Sequence, residues 1–332
     1  MQAPPFAIEP FHPPPWLRGG HIASMWARYV TPAPTLPFRR ERLSTPDDDF
    51  IDLDWVGDDG DLPVVVACHG LEGSSQSAYI LRLLAQAQAR GWSAVGVNYR
   101  GCSGEDNRRV YAYHSGFIDD LDLIAHTLAA RRPRRPILLV GYSLGASIAG
   151  NWLGRQADRL PRQVRAAFLC STPFLLAPCS ERLEQPAQRL YLRHFLQTLR
   201  AKAIRKAEAH PGTFDADAAR RARSLRAFDD AYTRVVHGFA SVEEYYEQAS
   251  CGPQLQRIRV PTLILNARND PLIPAHSTTP DFVNGTTSVR FVQLQYGGHV
   301  GFICESPNWL ERQILAWFDT CLLHAAMPRT GV

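Results

Sequence analysis

The chain has 332 residues, 45% of them hydrophobic and 20% charged, which suits one large α/β domain or a core domain carrying an insertion. Its formal net charge of +4 is too slight to imply nucleic-acid binding, and no apolar stretch approaches the ~20 residues that span a bilayer. Seven cysteines (68, 102, 170, 179, 251, 304 and 321) form an odd, scattered set without zinc-ligand spacing. With no basic start and apolar run at the N-terminus, they point to reduced thiols in a cytoplasmic protein.

Residues 1–45 are proline-rich and read as a segment that wraps over the core, with Trp16 and Trp26 as its aromatic anchors. Residues 39–45 and 50–56 read as a pair of strands around the Pro46-Asp47-Asp48-Asp49 turn. A regular alternation follows. Strands are expected at 64–68, 93–99, 137–140 and 164–170, and helices at 76–90, at 117–130 and from Ser143 onward. Apolar strands alternating with helices imply a parallel sheet covered on both faces.

The rhythm breaks at Pro173. Residues 173–258 contain no convincing strand and are too long for a loop, so they read as an inserted helical cap on a core of 46–172 and 259–332. The first half of this insertion is basic: Arg182, Arg189, Arg193, Arg200, Lys202, Arg205 and Lys206. Such a run reads as a solvated helical face, or more sharply as a site of attraction to an anionic lipid or acyl substrate. The sheet resumes at 261–266, a last strand covers 288–294, and an amphipathic helix at 307–323 closes the chain.

The chemistry is carried by Gly141-Tyr142-Ser143-Leu144-Gly145, a G-x-S-x-G pattern between an apolar strand and a helix. In that context the serine sits on a turn too tight for large neighbours, with its hydroxyl lifted above the sheet and the next helix aimed at the reacting oxygen. A serine hydroxyl needs a base, and the base an orienting acid. Asp270, in Asn269-Asp270-Pro271, and His299, in Gly297-Gly298-His299, supply them in the order Ser, Asp, His, each after a strand. Alone, Asp270 reads as a turn or cap residue and His299 as a loop histidine; together they read as a triad. The oxyanion of a tetrahedral intermediate needs two fixed N–H donors. The backbone N–H of Leu144 follows the serine, and that of Leu71 lies in His69-Gly70-Leu71-Glu72-Gly73, after strand 64–68.

Two other patterns carry less. His114 to Asp119 fits H-x-x-x-x-D, associated with some acyltransferases, but at a helix start Ser115, Asp119 and Asp120 also suit capping and dipole roles. The glycines of Asn98-Tyr99-Arg100-Gly101-Cys102-Ser103-Gly104 lack the dinucleotide fingerprint.

Together these residues resemble the α/β-hydrolase superfamily, and within it the YheT-like esterase/lipase subgroup. The subgroup's patterns are similar to Arg18-Gly19-Gly20-His21 with Trp26, to His69 through Ser75, to Asn98 through Glu105 and to Tyr113-His114-Ser115-Gly116. In the insertion, Phe228-Asp229-Asp230 with Thr233, His237-Gly238-Phe239 and Tyr245-Tyr246 match too. The resemblance spans residues 16–305 and implies an eight-stranded, mostly parallel sheet flanked by helices. It also implies a serine carboxylesterase or lipase using Ser143, Asp270 and His299 on a small-molecule ester or lipid, with acylglycerols included. No metal or organic cofactor and no nucleic-acid partner is expected; peripheral membrane contact through the basic insertion stays open. Acyl transfer, thioester cleavage and a non-catalytic lipid- or partner-binding scaffold stay open, as do acyl-chain length, head group and oligomeric state. One departure is Asn269, where the subgroup's acid loop is expected to carry a second aspartate.

Overall fold

The computed structural model of the chain describes residues 2–57 and 60–326. Eight strands are formed: β1 (Arg39–Ser44), β2 (Phe50–Val56), β3 (Val64–Cys68), β4 (Ser93–Asn98), β5 (Ile137–Tyr142), β6 (Val164–Cys170), β7 (Thr262–Ala267) and β8 (Val289–Leu294). They make one sheet in the order β1-β2-β4-β3-β5-β6-β7-β8. β1 and β2 pair antiparallel, as do β2 and β4; every other pairing is parallel. The eight-stranded, mostly parallel sheet flanked by helices is therefore as expected.

Strands β3, β4 and β5 are buried along their whole length, so both sheet faces need covers. One face packs on α3 (Asp119–Arg131) and α4 (Leu144–Arg155) through Ile124, Leu128, Ile148 and Trp152. The other packs on α2 (Ala78–Ala89) and the closing helix, numbered last below, through Leu83, Leu84, Ile314 and Trp317. Both α2 and α3 begin two residues later than expected. Ser77 first closes a turn with Ser74, and Phe117 one with His114. Ser115 does not cap α3 either: its hydroxyl donates to the Ala249 carbonyl (3.0 Å), and Asp120 is spent on the buried Arg100 (2.7 Å).

Between β6 and β7 the described chain is helical: α5 (Leu176–Leu183), α6 (Arg189–Ala209), α7 (Ala216–Arg221), α8 (Leu225–Phe228), α9 (Arg234–His237) and α10 (Val242–Ala249). The basic residues of α6 are not one solvated face. Lys202 donates to Glu72 (2.8 Å), Arg205 pairs with Asp106 (2.9 Å), and Lys206 donates to the carbonyls of Asn107 and Arg109. The C-terminal half of α6 is thus tied to core loops by its own cations, the exposed Arg205 included, whereas the exposed Arg189 and Arg193 of the N-terminal half have no carboxylate partner among the described residues.

The N-terminal segment lies on the core. Ala3 N–H donates to Thr287 (2.8 Å), the Phe6 ring meets Trp317 and Phe11 meets Trp309, which lies on α11 (Trp309–Ala326). The anchors are these phenylalanines and Leu17, not the tryptophans. Trp16 and Trp26 pack against each other at 4.6 Å and are 52% and 38% exposed. The cause is steric. Trp26 belongs to α1 (Gly20–Tyr29), whose inner face is Gly20, Ala23, Ser24 and Ala27. That face lies so close to the Asp270 loop that a Cβ on Gly20 would fall 1.8 Å from the Asn269 carbonyl oxygen. Large side chains of α1 must point outward. All seven cysteines are unpaired, and among the described residues no helix is long and apolar enough to cross a membrane.

Candidate active site

Strand β5 ends at Tyr142 and α4 begins at Leu144, leaving Ser143 alone in the turn with φ 53° and ψ −121°. This conformation costs a non-glycine residue on the order of 1–3 kcal/mol and persists only where its surroundings impose it. They do so through a very close helix approach: a Cβ on Gly145 would lie 2.4 Å from the His69 carbonyl oxygen. Ser143 N–H donates to Cys170 (2.9 Å), and its carbonyl accepts from Ala146 (2.9 Å). The strain is balanced by packing no larger residue at 145 would allow.

The structure brings Ser143, Asp270 and His299 together. Ser143 Oγ lies 2.8 Å from His299 Nε2, and His299 Nδ1 lies 2.8 Å from Asp270 Oδ2. Nδ1–H faces a carboxylate, so it donates, and Nε2 is left to accept from the serine hydroxyl. The second Asp270 oxygen accepts from the N–H groups of Leu272 (2.8 Å) and Ile273 (3.1 Å). Asp270 is 4% exposed, fixed at both oxygens and unable to rotate away from the imidazole.

The His299 loop has supports that sequence reading missed. His299 N–H donates to Ser24 Oγ of α1 (2.8 Å), and the Ser24 hydroxyl donates to Gly20 (2.7 Å). Val300 N–H donates to Ser171 Oγ (2.9 Å) at the end of β6. Asn269 Oδ1 accepts from Gly298 N–H (3.0 Å), while its Nδ2 donates to the Arg18 carbonyl (2.8 Å). The only sequence signal for any of these was Asn269, noted as a departure. Its amide both donates and accepts; an aspartate there could not donate to Arg18.

Leu71 and Leu144 flank the serine from two elements. Among the described residues neither amide donates to a protein acceptor. Gly70 N–H, by contrast, is spent on Tyr79 Oη (3.0 Å). Buried His69 shapes this loop: Nδ1–H donates to the Gly70 carbonyl (2.7 Å) and Nε2 accepts from Tyr99 N–H (3.3 Å). Burial pushes the His69 pKa down to about 4, so it stays neutral. Glu72, next along, has φ 55° and is held by Lys202 of α6 and by the Tyr113 hydroxyl, which receives its N–H (2.8 Å).

Two cavities meet at Ser143 and His299. The larger, about 500 Å³, runs between α1, the start of α2 and α6, past Arg28, Tyr79, Tyr191 and His194. The smaller, about 140 Å³, lies under the helical segment and is mostly apolar, with Leu176, Leu199, Leu225 and Phe228 in its wall. Asp229 and Thr233 add a polar edge. His114 also lines the smaller cavity, but its Nδ1 accepts from Gly116 N–H (3.1 Å) and its ring packs on His237 and Tyr245. Burial holds its pKa well below the usual range, and Asp119 stands at the start of α3 rather than beside it as a hydrogen-bond partner. No group of three or more His, Cys, Asp or Glu among the described residues is placed to hold a metal ion.

The model of the alpha/beta hydrolase fold family matches residues 63–305. The chain is 40% identical over 291 residues to the Escherichia coli protein named "Putative esterase YheT", covering 85% of each chain. It is 29% identical over 311 residues to human Phospholipase ABHD3, covering 90% of this chain and 75% of that one. In fold it resembles the Pyrococcus furiosus esterase Pf2001, with a TM-score of 0.57 at 13% identity, over 95% of this chain and 98% of that one. With the sheet order, the elbow and these matches in hand, the chain belongs to the α/β-hydrolase family, among its esterase- and lipase-type members.

Proposed function

We propose that this protein is a serine carboxylesterase acting on a small-molecule or lipid ester. The observation that carries the reading is the relay Ser143–His299–Asp270, with 2.8 Å at both contacts, standing where two cavities meet. Ser143 Oγ attacks the ester carbonyl as His299 Nε2 takes its proton, and Asp270 stabilises the imidazolium. The N–H groups of Leu71 and Leu144 receive the developing oxyanion, a contribution of about 3 kcal/mol per donor in comparable sites. Collapse expels the alcohol, protonated by His299, and leaves the acyl group on Ser143. Water, deprotonated by His299, then attacks the acyl-enzyme and frees the acid. Every proton in the cycle passes through His299.

The two cavities suit the two halves of an ester. The apolar one takes the acyl chain under residues 173–258, which act as a cap. The larger, lined by Arg28, Ser74 and Gln76, takes the alcohol side.

The test is hydrolysis of p-nitrophenyl esters by wild type and Ser143→Ala, with labelling by a fluorophosphonate probe. Loss of turnover by about 10⁴-fold or more and loss of labelling in the variant are expected. Equal turnover in both proteins would overturn the assignment of the nucleophile.

A further inference from the structure

Eight large apolar side chains are strongly exposed on the described protein, and five of them fall between residues 16 and 30: Trp16, Ile22, Trp26, Tyr29 and Val30. Ile22, Trp26 and Tyr29 follow helical spacing and share the outer face of α1, while Ala23 and Ala27 fill its inner face. A helix lying on a core ordinarily shows water a polar face; α1 is apolar on both. A sixth exposed group, Leu190, begins α6 on the other side of the larger cavity. Tyr29 and Leu190 both line that cavity, and Arg28 Nη2 meets His194 Nε2 at 2.9 Å, linking α1 to α6. Through Tyr29 and Leu190 the apolar patch therefore borders the cavity that leads to Ser143.

Its charge is one-sided. No acidic residue occurs between Glu9 and Glu41, or between Glu184 and Glu208. Arg18, Arg28, Arg189 and Arg193 are all exposed in these stretches. Further along α6, Arg205 is exposed but paired with Asp106, and Lys206 is buried against core loops, so the exposed α6 arginines left without a carboxylate among the described residues, Arg189 and Arg193, are those beside the patch. Tryptophan and tyrosine place an apolar body in the headgroup layer with a polar tip toward water, and arginine pairs with phosphate through its planar fork.

We propose that the outer face of α1, with the first turn of α6, docks on an anionic phospholipid surface. The larger cavity then opens directly onto the bilayer. The passage of a lipid ester from that surface to Ser143 rests on the esterase reading; the docking itself does not. In the sequence the basic insertion is one candidate for membrane contact; the docking face proposed here lies mainly on an N-terminal helix outside the family match.

The experiment is co-sedimentation with vesicles of phosphatidylcholine mixed with phosphatidylglycerol, beside vesicles of phosphatidylcholine alone. Wild type is compared with Ile22→Ser/Trp26→Ser, whose side chains are exposed and leave the core untouched. Unchanged thermal unfolding confirms the fold, whether or not an ester is turned over. Expected are binding of wild type to the anionic vesicles, weakened by salt, and binding at least about 10-fold weaker by the variant. The proposal is overturned by no binding of wild type, by equal binding of the variant, or by equal binding to neutral vesicles. Self-association of wild type that the variant loses, without vesicle binding, would overturn it too and assign the face to a second copy of the chain.

Discussion

Ser24 and His299 stand 275 residues apart in the chain and share a 2.8 Å hydrogen bond, from the histidine's backbone N–H to the serine hydroxyl. A helix outside the family match thereby fixes the backbone of the proposed base. Asn269 adds a second tie, from Gly298 to Arg18. Ser24→Ala removes the acceptor and leaves a half-buried N–H unpaired, which costs on the order of 1–3 kcal/mol if water does not replace it. The larger effect falls on geometry. A fall in kcat of about 10- to 100-fold, with KM changed less, is expected from steady-state ester hydrolysis.

Asn269→Asp tests the same clamp by charge. The carboxylate loses the bond to the Arg18 carbonyl and sets a second negative charge beside the Asp270–His299 pair. A nearby anion favours the imidazolium. The limb of the pH–rate profile that reports deprotonation of the base should therefore move to higher pH. An unmoved limb would show that position 269 acts on stability alone.

The ion pair Glu72–Lys202 connects α6 to the residue after Leu71, and the two side chains are 3% and 23% exposed. Removing one partner strands the other charge in a poorly solvated site, whereas removing both avoids this. Lys202→Met should destabilise the protein by about 2–4 kcal/mol in urea unfolding, and Lys202→Met/Glu72→Gln by less. Glu72 sits at φ 55°, so its release also lets the Leu71 amide turn, and kcat should fall in the single variant. A double variant less stable than the single one would contradict the account.

The sheet and the positions of Ser143, Asp270 and His299 were legible because each rests on local pattern: an apolar run, a small-residue turn, a loop after a strand. The supports of the His299 loop were not legible, since Ser24, Ser171 and Asn269 meet it only through the tertiary fold and a serine in a helix carries no mark of its partner. Trp16 and Trp26 misled for a related reason. Aromatic size ordinarily signals burial, but Gly20 and Ala23 bring α1 too near the Asn269 loop for a ring to fit between. The basic run of α6 read as uniform because charge counts do not reveal that Asp106, Glu72 and the carbonyls of Asn107 and Arg109 lie opposite its second half.

If the acyl chain lies in the smaller cavity, as proposed, that cavity bounds its length. At about 140 Å³ it matches apolar cavities that hold a benzene-sized molecule, about six carbon atoms. Across p-nitrophenyl esters from acetate to palmitate, turnover should peak at about four to six carbons. Leu199→Ala, which shortens a half-buried wall residue, should move the peak to longer chains. A profile that rises steadily to palmitate in wild type would mean that the acyl chain uses the larger cavity instead.

Asp229 borders the same cavity and, among the described residues, has no cationic partner. Burial raises its pKa to about 6, although Thr233 (2.7 Å) and Tyr246 (2.9 Å) donate to it. The unfolded chain releases this proton near 3.8, so between that value and about 6 the folded protein binds more protons than the unfolded one. Stability from this group is therefore full at low pH and declines as pH rises to about 6. Buried His69 and His237, both lowered to about 4, work in the opposite sense, so the wild-type curve alone hides the effect. Asp229→Asn mimics the protonated acid, and the Tyr246 hydroxyl can turn to Ser180, 3.0 Å away. Subtracting wild type from the variant cancels the histidines. The difference should be near zero at low pH and should favour the variant by on the order of 3 kcal/mol at neutral pH. Chemical denaturation across that range measures it, and a difference independent of pH would mean that Asp229 keeps its charge throughout.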